Sequence, residues 1–151
     1  MTARDSIVVR GERSDIFELL CDPACIVQWV VGANRLREVD DDWPAVGSRF
    51  HHAVGMRLFE LHDVTEMCRC EAPALIELHA KVRPFFEARV QLRLEDLDGA
   101  TRVTMIERPT GGLFKASALI GRPALSLRNR ISLHRFAALA ASAGCGARSR
   151  G

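Results

Sequence analysis

The sequence contains no tyrosine, which removes the phenolic acid that some oxyanion holes employ. No stretch approaches the roughly 18 uninterrupted apolar residues that a spanning helix requires. The start MTARDSIVVRG has neither a long apolar core nor a small-residue cleavage site, so nothing marks it for export and a cytoplasmic location is expected. There is no G-x-S-x-G elbow, which argues against the usual serine hydrolase. Gly111 and Gly112 form only a pair, better suited to starting a helix than to cradling phosphate. The cysteines are odd in number: Cys21, Cys25, Cys68, Cys70 and Cys145. Their spacing lacks the short knuckle of a zinc module, so they are expected to be reduced core or surface thiols, with no metal and no cofactor. A net charge of +2 is too small to imply nucleic acid.

What is present is an ordinary globular composition, 48% hydrophobic and 26% charged, which excludes disorder and a coiled coil. The expected organisation is one domain over residues 1–144, followed by a frayed tail at 145–151. A chain of this length can remove roughly 70% of its unfolded surface from water. SIVVR at Ser6–Arg10 is a short β-type run, and Ser14 with Asp15 supplies helix-start chemistry before IFELL. Asp22 as a cap and Pro23 at the first helical position begin a second short helix that Gly32 ends. From Asn34 the pattern has period two, with candidate strands at 35–40, 48–57, 59–69, 74–82, 85–96 and 101–108. Short turns join them, so they form an antiparallel meander. Folding the last hairpin about Asp98 and Gly99 sets Leu94 near Val103, Leu92 near Met105 and Val90 near Glu107, with Glu95 opposite Arg102 outside. After Pro109, TGGLFKASALIG is helical in composition, and a long helix then runs from Pro123 towards Gly144. On that helix Leu127, Ile131 and Ala138 form one stripe, and Leu125, Phe136 and Leu139 another.

The long helix is the element able to cover the sheet's apolar face. The expected fold is therefore α+β of the helix-grip type: a seven-stranded curved antiparallel sheet wrapped around a long C-terminal helix, with two short helices between the first two strands. From about Ser6 to Ala143 the chain resembles the START-like or SRPBCC superfamily, also called the polyketide cyclase/dehydrase and lipid transport superfamily. The resemblance is carried by IVVRGERSDIFELLCDPACIVQW, VGSRFHH, TRVTMIE with the TGG that follows it, and RNRISLHRFAALAA. It implies an elongated apolar cavity between sheet and helix that holds lipids, polyketides, sterols or aromatic compounds. In such relatives some members catalyse and many only bind.

Within that frame Glu107 follows Val103 and Met105 onto the concave face, where burial raises a carboxyl pKa unless a cation meets it. It is a candidate acid or ligand acceptor; the alternative is a salt bridge to Arg128 or Arg130 on the terminal helix. In RFHHAVGM, alternation sends Phe50, His52, Val54 and Met56 inward and His51 outward, so His52 is the second candidate catalytic residue. The strand after it has no clean apolar phase, and a bulge that shifts the phase would bring Asp63 beside His52. His79 is expected to face solvent. Trp29 and Trp43 border the cavity mouth in the resembled fold. The remaining expected ligand contacts are Leu78, Ala80, Val90, Leu92, Met105, Leu127 and Ile131.

Three functions fit these features. The first is binding of a hydrophobic or amphipathic small molecule, with Glu107 and His52 orienting one polar group. The second is a cyclase, dehydrase or isomerase-like enzyme that uses Glu107 with His52 as acid and base. The third is a structural or partner-binding role, as a homodimer or through the arginine-rich helix against an acidic partner or an anionic membrane surface.

Overall fold

Alternating apolar residues build most of the chain into sheet. The structure, a computed structural model, describes residues 2–56, 59–82, 84–112 and 121–142, with the side chains at 34 and 54–60 outside that description. In chain order the described elements are β1 (Ala3–Arg10), α1 (Arg13–Cys21), α2 (Pro23–Trp29), β2 (Ala33–Val39), β3 (Arg49–Met56), β4 (Phe59–Glu71), β5 (Leu75–Val82), β6 (Phe86–Asp96), β7 (Ala100–Gly111) and α3 (Arg122–Ala141). The strands form one antiparallel sheet ordered β1-β7-β6-β5-β4-β3-β2. Sequential strands pair from β2 to β7, and β1 lies beside β7. With α3 packed against it, this is the α+β helix-grip fold that the order of elements calls for.

The β6–β7 hairpin turns on Asp98 and Gly99, both at positive φ. Its register places Leu94 against Val103, Leu92 against Met105 and Val90 against Glu107. Outside, Arg102 donates to Glu95 at 3.0 Å. β7 runs through Pro109 to Gly111, beyond the expected end. β1 pairs with β7 only as far as Glu107, so from Arg108 onward a residue without an N–H breaks no ladder bond on that edge. Gly111 therefore ends a strand rather than starting a helix. Gly112 follows at φ +92°, where a Cβ would collide with the Phe85 carbonyl. The helix expected after Gly112 falls at 113–120, outside the described residues.

In β4 one residue decides what faces inward. The β4–β5 register shifts between Met67 and Arg69, which makes Cys68 an extra residue in the ladder. Before the bulge Asp63, Thr65 and Met67 are buried, and after it Cys70, opposite Ile76, packs against the core. A straight alternation would have turned Cys70 outward.

The short helices follow the sequence with one correction. Asp22 caps α2 by accepting a bond from the Ala24 N–H at 2.9 Å, with Pro23 at its first position. α1 starts at Arg13, earlier than expected; Asp15 lies in its first turn, where a carboxylate suits the helix dipole. Ile16, Phe17, Leu20, Ile26 and Trp29 from these helices join Leu92, Leu94, Val103, Leu133 and Phe136 in one core. Cys21, Cys68 and Cys70 are free thiols. Cys25 is disulfide-bonded, which corrects the expectation of a uniformly reduced set, and Cys145 lies outside the described residues.

The buried face of α3 is Leu125, Asn129, Ser132, Leu133 and Phe136. Leu127 and Ile131, expected in the cavity wall, are 60% and 41% exposed on the opposite side. The stripe marked by Leu125 and Phe136 is the one that turns inward. Polar bonds fix the helix in place: Asp5 accepts from Ser126 Oγ at 2.6 Å and from Arg130 Nε at 3.2 Å, and Ser132 Oγ accepts from the Val31 N–H at 3.0 Å.

Candidate functional site

Between the concave sheet, α2 and α3 lies a cavity of about 100 Å³. A water needs roughly 10–15 Å³ of such room, so the space corresponds to about seven to ten waters. Its middle is apolar, with Leu78 and Ala80 from β5, Val90 and Leu92 from β6 and Met105 from β7. Trp29 and Phe50 also line it, so seven of the ten expected ligand contacts border one space. Leu127 and Ile131 do not, and the Val54 side chain is outside the described residues. Trp43 serves the packing instead: its ring meets Phe50 edge-on at 4.9 Å, and its Nε1 donates to the Cys21 carbonyl at 2.7 Å.

Two polar groups stand on this wall. The first is His52 with Asp63, which face each other across the β3–β4 ladder. Both are buried, and His52 Nε2 lies 3.2 Å from Asp63 Oδ2. Asp63 Oδ1 accepts a bond from the Lys81 N–H at 3.0 Å, so the carboxylate is tied to β5 and the imidazole stands against a fixed acid. The Phe50 ring packs on the imidazole at 5.3 Å. His52 Nδ1 has no hydrogen-bond partner among the described residues.

The second group is Glu107 with Arg128 and Asn129. Arg128 Nη1 reaches both Glu107 oxygens, at 3.2 and 3.3 Å, and its Nε donates to the Val31 carbonyl at 3.3 Å. Of the two alternatives for Glu107, the salt bridge to Arg128 is formed, and the acid still lines the cavity. Burial pushes its pKa above the ordinary value; Arg128 and Asn129 pull the other way without cancelling that effect. The Asn129 amide is near enough to favour the carboxylate, yet its Nδ2 completes no hydrogen bond of ordinary geometry among the described residues. Trp29 Nε1 is likewise buried without a partner among them.

The two groups have separate partners on the wall of one cavity. β3 and β7 stand four strand positions apart in the sheet order, roughly 19 Å along the sheet at the usual strand spacing. Each acid has its own partner, so His52 works with Asp63 and Glu107 with Arg128. Asp63 entered the sequence reading only through the postulated bulge. Asn129 and Ser132 were missed, although their spacing from Leu125 and Phe136 places all four on one helix face. His79 is half-buried, with Nε2 3.5 Å from Glu87, rather than free in solvent. Among the described residues no three metal-ligating side chains converge, and no helix is long and apolar enough to cross a membrane.

Fold and site together define a helix-grip protein with an internal cavity. No protein-family model matches the sequence, and no curated protein matches it either. Solved structures do match. Protein MLL2253 from Mesorhizobium loti superposes with a TM-score of 0.72 at 13% identity, covering 96% of this chain and 100% of that one. Ara h 8.0201 gives a TM-score of 0.72 at 8% identity over 94% and 98% of the two chains. DynU16, a protein in the dynemicin biosynthetic locus, gives 0.69 at 16% identity, covering 95% of this chain and 48% of its own. At such identities the likeness is one of fold.

Proposed function

We propose that this chain is a START-like protein that binds a hydrophobic or amphipathic small molecule, a lipid, polyketide or aromatic compound, between its sheet and α3. The observation that carries the reading is the cavity itself: apolar side chains in the middle, buried polar groups at two places on the wall. A core built only for stability would fill that space, because interiors pack close to crystal density and voids cost free energy. The fold likeness to Ara h 8.0201 and DynU16 is in keeping with it. Apolar burial supplies affinity at about 25 cal/mol per Å², and the polar groups orient the ligand. Native mass spectrometry of the purified protein, with solvent extraction of whatever it carries, tests this. Protein that is always empty and gains no thermal stability from any apolar compound in a broad set would overturn it.

A second reading, acid–base catalysis of a cyclase or isomerase type, is favoured by the His52–Asp63 pair. An imidazole held against a fixed carboxylate is a plausible proton acceptor for a bound substrate. In that case His52→Gln abolishes turnover while ligand affinity persists. Turnover that survives the substitution would remove His52 from the mechanism.

A further inference from the structure

The charges around the cavity restrict what can enter it. Two carboxylates, Asp63 and Glu107, line the wall, and both are nearly sealed from solvent, at 3% and 2% exposure. Arg128 is the single lysine or arginine among the described lining residues. It is already committed: Nη1 spans both Glu107 oxygens and Nε holds the Val31 carbonyl. His52, charged or neutral, stands against Asp63, so that end of the wall is at most electrically neutral. A carboxylate arriving in this space finds no uncommitted lysine or arginine among the described lining residues. It must displace Glu107 from Arg128 or lie against a like charge, and burying an unpaired ion is costly. A cation fares little better, because both acids have partners. What the wall does leave open is hydrogen bonding. Trp29, which lines the cavity, has its Nε1 buried without a partner among the described residues, and a buried donor left unmet costs about 1–3 kcal/mol.

We infer that the site takes an uncharged compound of about bicyclic size whose hydroxyl or carbonyl oxygen accepts from Trp29, and that it rejects fatty-acid-like and other carboxylate ligands. Glu107 is the discriminating residue, because it occupies the cation that an anionic ligand would need. This inference rests on the cavity-binding reading and adds the class of ligand to it.

Three probes with one ring system separate the two. Isothermal titration at neutral pH measures 2-naphthol, 2-naphthoate and 2-(aminomethyl)naphthalene against the full chain. The expected result is 2-naphthol binding about tenfold or more tighter than either charged probe, since like-charge juxtaposition costs several kcal/mol and each 1.4 kcal/mol is tenfold. Glu107→Gln should tighten 2-naphthoate about tenfold relative to 2-naphthol by releasing Arg128. Either charged probe binding the native chain as tightly as 2-naphthol overturns the inference and leaves the cavity reading standing. So does a Gln variant that folds and keeps the native preference unchanged. No binding by any probe overturns the inference, and native mass spectrometry with the broad apolar set then decides the cavity reading separately. The native-chain comparison stands even if the variant fails to fold.

Discussion

Removing Arg128 and removing Glu107 should have unequal effects, although the two form one ion pair. Arg128→Met leaves the Glu107 carboxylate at 2% side-chain exposure with no cation, and deleting one partner of a fully buried pair costs about 3–5 kcal/mol. Arg128 is 38% exposed, however, so water already screens part of the attraction, and about 2 kcal/mol is the expected loss near neutral pH. For a domain of this length that corresponds to a fall of roughly 4–8 °C in Tm. Glu107→Gln removes the charge that burial opposes and keeps the shape, so its effect should stay within about 1 kcal/mol. The pH dependence follows from the raised pKa of Glu107. Its native state binds a proton more tightly than the unfolded chain does. The stability this contributes is complete below about 4.5, the ordinary value, and is lost as pH rises through the folded value. Losing Arg128 raises the folded value further, so the deficit of the Met variant grows with pH and shrinks towards 4.5. Urea unfolding of the native chain and both variants, at neutral and mildly acidic pH, reads all of this. A Met variant no less stable than the Gln variant near neutrality, or a deficit equal at both pH values, would refute the reasoning.

Phe136→Ala should cost about 3–5 kcal/mol, because Phe136 is 1% exposed and meets Trp29 edge-on at 5.6 Å. Trp fluorescence should shift with it, and an unchanged urea midpoint would contradict the packing. Leu127→Ser, on the exposed face of α3, should change stability by no more than about 0.5 kcal/mol and leave ligand binding intact; weakened binding in a titration would place Leu127 at the site after all. Burial, reinforced by Cys70 and Glu18, pushes the Cys21 thiol up to about 12. Peptide mapping after iodoacetamide treatment of the native protein at mildly alkaline pH should therefore find Cys21 unmodified, since the thiolate is the reactive form. Rapid labelling there would be the contrary result.

The sheet was legible because its signals are local. Period-two alternation and turn residues such as Asp98 and Gly99 fixed the strands and put Glu107 and His52 on the concave face. What escaped depends on tertiary context. The inward face of α3 carries Asn129 and Ser132, so a count of apolar residues selects Leu127 and Ile131 on the wrong side. Asp63 reads as a surface acid until the bulge at Cys68 is known, and bulges leave little trace in a single sequence. β7 outran Pro109 because its neighbour β1 ends first, which nothing near Pro109 announces.

That extra residue in β4 has a consequence for how such a protein can diversify. Because the ladder slips by one position between Met67 and Arg69, the two halves of the strand obey separate rules. One half bears Asp63 and Thr65 towards the ligand space, while the other keeps Cys70 on the packed floor. Mutation can rewrite the chemistry of the first half without disturbing the foundation laid by the second. An unbroken strand would bind both to a single alternation, and a change of specificity would then be paid in stability.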